Sequence, residues 1–142
     1  MSSVVGGIYT YLNAETDVTN GLSTYDFGNG DAPAIFTTDE IQEDAATPFI
    51  RISTVGGFRD GTDRTSRGGV VLVNVVLWGA KNDSGKILRE LADTIWFALD
   101  RAPIEVGGYD VPYCLADPPN RLNDRDGFPG YVVSCRVLVR KE

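Results

Sequence analysis

The sequence predicts an α+β protein: an antiparallel sheet of about four strands, two helices packed on one face, and a long projecting β-hairpin. Three observations carry this. The runs from Val70 to Ala80 and from Tyr131 to Arg140 are β-branched and apolar, and each sorts into two side-chain sets with a period of two. Between Ser84 and about Arg101, Ile87, Leu88, Leu91, Ala92, Ile95 and Leu99 fall into one stripe at helical spacing. A polar segment from Gly56-Gly57 to Gly68-Gly69 separates two strand-like runs, as the tip of a hairpin does.

Taken in order, the chain begins with a short helix, capped by Ser3, with Val5, Ile8, Tyr9 and Leu12 at helical spacing. Gly6 and Gly7 each cost it about 1 kcal/mol relative to alanine, so it must dock to persist. Residues 20–47 are rich in Gly, Asp, Asn and Thr and read as a surface excursion with one short strand, Ala34 to Thr38. Phe49 to Val55 and Val70 to Ala80 are the hairpin strands. Asp83 or Ser84 caps the main helix, and Pro103 stops it. Glu105 to Leu115 is a weaker strand or strand pair turning at Gly107-Gly108. Asp117 to Gly130 reads as a loop, and Tyr131 to Arg140 is the last strand.

The 142 residues fit one domain, 1–142, and are enough to bury a core without staples. The net charge of −7 argues against phosphate neutralisation, which needs a basic patch. It does not exclude a surface that DNA slides past, where like charge prevents sticking. Cys114 and Cys135 lack metal-ligand spacing and read as semi-buried thiols of a reducing compartment. Met1-Ser2-Ser3 shows no signal-peptide pattern, and no apolar run nears the roughly twenty residues of a membrane span.

Catalytic chemistry finds little support. The chain has no histidine, which removes the commonest general base and metal ligand. No phosphate-binding loop occurs, and Asn123-Asp124-Arg125-Asp126-Gly127 fails the EF-hand pattern, with Leu122 at the first ligand position and Val133 at the twelfth. The expectation is therefore a non-enzymatic protein with no cofactor and no metal.

The strands carry a different signal. One side-chain set of the second hairpin strand, Val71, Val73, Val75 and Leu77, is wholly apolar, as is Val133, Cys135, Val137 and Val139 of the last strand. These sets should face the helices. The opposite sets mix Leu72, Val76, Trp78, Val132 and Leu138 with Asn74, Arg136 and Arg51. A solvated sheet face is normally polar, whereas apolar groups mixed with guanidinium and amide groups compose a protein–protein interface. Leu72, Asn74, Val76, Trp78, Val132, Arg136 and Leu138 are thus the candidate subunit interface. The alternative is that the first helix or the 20–47 excursion covers this face within one chain. The hairpin strands also outreach the helix, about 40 Å against about 27 Å. Their tip carries Arg59, Arg64 and Arg67 alternating with Asp60 and Asp63. Protein contact by those arginines, or simple solvation, are both consistent with that composition.

The order of helix, excursion, "TPFIRIS", arginine-bearing tip, "VVLVNVVLWGAK" and "GKILRELADTIWFAL" resembles the phage tail terminator or tail-completion family, the head-tail joining proteins similar to minor tail protein U. The likeness runs from about Val4 to Arg140. It implies a virion structural protein, assembled in the host cytoplasm, forming a homohexameric ring at the head-proximal end of the tail. It further implies that Arg59, Arg64 and Arg67 touch the tail-tube protein or a neighbouring subunit. A connector or stopper protein would bind the other ring face, and DNA would pass through the lumen without specific binding or any membrane contact. Residues 20–47 and 104–130 exceed what a minimal member needs. A head-side stopper and a monomeric ligand- or peptide-binding module are the alternatives.

Overall fold

A computed structural model describes residues 2–28, 30–37, 46–54, 68–80, 86–122 and 128–141. Helix α1 (Ser2–Ala14) buries Val4, Ile8 and Leu12 completely, the helical spacing that its sequence sets. Its two glycines have different surroundings. A Cβ on Gly7 would lie 2.5 Å from the Glu105 carbonyl oxygen and 2.9 Å from Ile104 Cγ2, whereas one on Gly6 meets nothing within 4 Å. The bare backbone at Gly7 lets α1 press onto the 104–105 segment, and this docking sustains a helix of poor intrinsic propensity.

A single turn, α2 (Thr16–Thr19), follows and buries Val18. The 20–47 excursion holds more structure than its composition predicts. β1 (Thr24–Asp26) and β2 (Asp31–Pro33) pair antiparallel, and β3 (Ile35–Phe36) lies parallel to β4 (Phe49–Thr54). β4 pairs antiparallel with β5 (Gly68–Trp78), from Phe49 opposite Trp78 to Thr54 opposite Val73, so the expected hairpin pairing is present. Its expected tip, with Arg59, Arg64 and Arg67, lies outside the described residues.

Helix α3 (Lys86–Leu99) buries Leu88, Leu91, Ala92, Ile95 and Leu99. The expected cap at Asp83 or Ser84 lies outside the described residues. Ile87, assigned to the buried stripe, is instead 74% exposed. At about 100° per residue it sits roughly a quarter-turn from the stripe's centre, and solvent claims it. The helix ends at Leu99, and two residues further on Arg101 takes a left-handed φ of 65° and donates its N–H to the Cys114 carbonyl at 2.6 Å.

β6 (Tyr109–Ala116) starts from a turn at Gly107-Gly108, bridged by Val106 and Tyr109, and its register shifts between Asp110 and Tyr113. Within the expected 117–130 loop, β7 (Asn120–Leu122) forms a short strand. β8 (Gly130–Lys141) pairs with β5 along its length and takes both β6 and β7 on its other side. The main sheet therefore has six strands, ordered β3-β4-β5-β8-β6 with β7 beside β8, instead of about four. Two short pieces account for the difference: β3, which lies within the expected short strand Ala34 to Thr38 and joins the main sheet through β4, and β7, which is too short to show a period of two.

The core lies on one face of this sheet. Val73, Val75, Leu77, Val133, Cys135, Val137 and Val139 are all at most 3% exposed and join Ile50 and Ile52 against α1 and α3. The α+β class, the single helical layer and the wholly apolar strand sets are as the sequence predicts.

Candidate interface on the open sheet face

Side chains alternate along a strand, so burying one set of β5 and β8 under the helices turns the other set outward. Register then places the outward residues in rows across the strands. Phe49, Trp78, Gly130 and Leu122 form one row; Arg51, Val76, Val132 and Asn120 the next; Ser53, Asn74 and Ser134 the third. Leu72, Arg136 and Leu115 make the fourth, and Val70, Leu138 and Tyr113 the fifth. Adjacent members of a row have Cβ atoms about 5 Å apart, close enough to form a continuous surface.

The rows bring the expected interface residues together. Val76 faces Val132, Leu72 faces Arg136, and Leu138 lies between Val70 and Tyr113. Val70, Val76, Val132 and Leu138 are half-buried by their neighbours, and Leu72 is 36% exposed. Asn74 has a polar partner: Ser134 donates its hydroxyl to the Asn74 carbonyl oxygen at 2.9 Å. Arg136 pairs with Asp117 at 3.3 Å and Arg140 with Asp110 at 3.0 Å, both in exposed positions where such pairs contribute little to stability. Trp78 also has an intrachain role. A Cβ on Gly130 would come within 2.7 Å of its ring, so the indole occupies the space that a side chain at that position would fill.

Covering of this face by the chain itself is partial. α1 lies on the opposite, core side. The 20–47 segment reaches one edge. Phe36, beside Arg51 in register, meets Tyr25 at 5.3 Å, Phe27 at 5.4 Å and Phe49 at 5.7 Å between ring centroids. This aromatic cluster closes the β3–β4 margin. Among the described residues nothing comparable lies over the rows of Leu72 and Leu138.

Residues that the sequence reading left out of the interface are Tyr113 and Leu115, together with the Tyr25, Phe27 and Phe36 cluster. Tyr113 and Leu115 were legible in principle, since they alternate with the buried Cys114 and Ala116. Pro112 and the register shift obscured that period. The aromatic cluster depends on a hairpin three residues to a side, which carries no periodic signal.

The two thiols sit on the core side and are free. The neighbouring Cys114 thiol, together with burial, pushes the Cys135 thiol above its ordinary range, and the same proximity holds the Cys114 thiol below its own. Among the described residues no group of three His, Cys, Asp or Glu side chains is arranged to hold a metal ion. No described helix is long and apolar enough to cross a membrane.

No protein-family model and no curated protein matches the sequence. The fold does have solved counterparts. One is a chain of the structure described as "Virion of native gene transfer agent (GTA) particle", with a TM-score of 0.69 at 14% identity, covering 99% of each chain. The two chains share one architecture over essentially their whole length.

Proposed function

We propose that this chain is a structural virion subunit of the tail terminator type. It forms a ring at the head-proximal end of a phage-like tail, stops polymerisation of the tail tube and offers the head its attachment surface, with DNA passing through the ring. The carrying observation is the open sheet face, where Leu72, Val76, Val132 and Leu138 stand with Arg136 on the side of the sheet away from the helices. An apolar face with a few charged groups suits a repeated contact between copies. The shared fold with a chain of a gene transfer agent virion supports the reading, as do the motifs that resemble the terminator family.

The mechanism follows from symmetry. Head-to-tail contacts close into a ring when their rotation completes a circle. One ring face matches the end of the tube and binds its last layer, with Arg59, Arg64 and Arg67 as the contacts proposed to reach it. The other face lacks the surface that would nucleate another layer, so growth ends there. It binds the connector or stopper instead. The test is to mix purified protein with tail tubes and image them by negative-stain electron microscopy. Capped tubes or free rings are expected. Protein that remains monomeric at every concentration and never decorates tube ends overturns the reading, and binding to connector alone redirects it to a head-side neck component.

A further inference from the structure

The last strand of a sheet presents unpaired N–H and C=O groups, a template on which another chain can pair. β6 holds that place at the end of the order β3-β4-β5-β8-β6, and its eight residues are long enough to template a partner. Its run Tyr113-Cys114-Leu115-Ala116 is uncharged and largely apolar, and it lies in regular register against β8. Alternate residues of an antiparallel strand turn their backbone groups to opposite sides. Asp117 donates its N–H to the Ser134 carbonyl of β8 at 2.9 Å. Tyr113 and Leu115 therefore turn toward β8 with it, while Cys114 and Ala116 turn outward.

Three of these outward groups already have partners. Ala116 donates its N–H to Asp100 Oδ1 at 3.1 Å, and its carbonyl accepts the Trp96 indole Nε1–H at 3.1 Å. The Cys114 carbonyl accepts the Arg101 N–H at 2.6 Å, a bond accompanied by the left-handed φ of Arg101, which is unusual for a residue with a side chain. Trp96 belongs to the last turn of α3, and Asp100 and Arg101 are the two residues that follow the helix. The strand carries further protection of its own. Pro112 has no N–H to offer, and the register shift between Asp110 and Tyr113 interrupts the edge.

We propose that the C-terminal turn of α3 is an autoinhibitory cover: Trp96, Asp100 and Arg101 occupy the edge on which β6 of a second copy would otherwise pair antiparallel. A second copy is the occupant that this edge fits. Two identical strands laid antiparallel offer each other the same alternation of donors and acceptors. That pairing is two-fold, so it stops at a dimer, and it would withdraw chains from the head-to-tail contacts of a ring. The cover is built of intrachain bonds alone, so it stands whether or not the ring reading does.

The test compares full-length variants with wild type by sedimentation velocity, with circular dichroism to verify folding. Asp100→Ala combined with Trp96→Phe deletes the acceptor and the donor that hold Ala116, while keeping an aromatic ring at position 96. This double variant should form a dimer absent from wild type, with dimerisation strengthened about ten-fold or more. Amide hydrogen exchange at Ala116 should be fast in the dilute variant and slow once it dimerises, because the incoming strand takes over the bond. Asp100→Asn keeps a side-chain oxygen for the Ala116 N–H and should behave as wild type. Ile52→Val, a core change in β4 away from β6, should destabilise without producing the dimer. A double variant that sediments as wild type at every concentration overturns the cover, as does the same dimer from Ile52→Val. Should the double variant not fold, Trp96→Phe alone decides by the same two readouts. A wild-type chain that never forms rings overturns the ring reading alone and leaves the cover standing.

Discussion

Ser134 donates its hydroxyl to the side-chain carbonyl of Asn74 at 2.9 Å, pairing the two polar residues that stand opposite each other in the middle of the open sheet face. The pair divides that face into two apolar patches, one around Val76 and Val132, the other around Leu72 and Leu138. It also gives β5 and β8 a polar register mark, since a slip of either strand by one residue would turn its polar group toward the core and break the pair.

That bond should contribute modestly to stability. Asn74→Ala is expected to cost about 1 kcal/mol in urea unfolding, with a similar cost for Ser134→Ala. The double variant should cost less than the two together, because the second change removes a group already without its partner. Strictly additive losses would mean that the bond contributes nothing in solution.

The two neighbouring glycines of α1 should respond in opposite directions to the same substitution. Gly6→Ala fills open space in a helix and should stabilise by about 0.5–1 kcal/mol. Gly7→Ala gains the same propensity but drives a methyl to within 2.5 Å of the Glu105 backbone carbonyl, so it should destabilise by about 1–3 kcal/mol as α1 is pushed off the 104–105 segment. Thermal melts of the two variants beside wild type decide it. Equal shifts of the same sign would show that α1 does not pack as described.

What the sequence made legible follows from length and period. β5, β8 and α3 are each long enough to repeat their pattern several times, so their existence, type and buried faces could be read from Val73, Val75, Leu77 and from Leu88, Leu91 and Ile95. β3 lies inside the short strand read at Ala34 to Thr38, but the β1–β2 hairpin and β7 are three residues to a strand. They are strands because a neighbouring strand offers them hydrogen-bonding groups, and tertiary pairing of that kind leaves no local periodicity. The outward face was legible for the same reason as the inward one, since the sets are complementary. Ile87 was misplaced because its position at the boundary of the stripe is compatible with either side.

The thiol pair sets an alkaline limit. Cys135 keeps its proton in the folded protein because the Cys114 thiol lies beside it and it is buried, so its folded value lies above that of the unfolded chain. Below the ordinary thiol value of about 8.5 both states hold the proton and this group leaves stability unchanged. As pH rises beyond it, the unfolded chain releases the proton first, and stability falls by up to about 1.4 kcal/mol per unit. Cys114 moves the other way, held below its ordinary value by the same contact, so it adds stability as pH approaches about 8.5 and the decline begins only beyond that. Urea midpoints measured from pH 7.5 to 10 should therefore turn over, and Cys135→Ala should flatten the alkaline limb while lowering the starting stability. An unchanged slope would remove Cys135 as its source. With both side chains buried, a thiol reagent at pH 8 should react only after urea is added.

Leu138 and Val137 are adjacent in sequence and opposite in environment, and this gives the sharpest separation of folding from assembly. Val137 is fully buried against the helices, whereas Leu138 lies between Val70 and Tyr113 on the open face. Val137→Asp places a carboxylate without a partner in the core, a change expected to exceed about 4 kcal/mol and to leave no folded protein by circular dichroism. Leu138→Asp puts the same group at a surface where water reaches it, so the melting temperature should fall by only a few degrees. In the proposed ring that same surface is buried against the next copy, where an unpaired carboxylate is strongly unfavourable. Leu138→Asp should therefore yield a folded monomer that neither forms rings nor caps tubes. Rings of normal abundance from this variant would mean that copies meet through some other surface, and the open face would then need a different occupant.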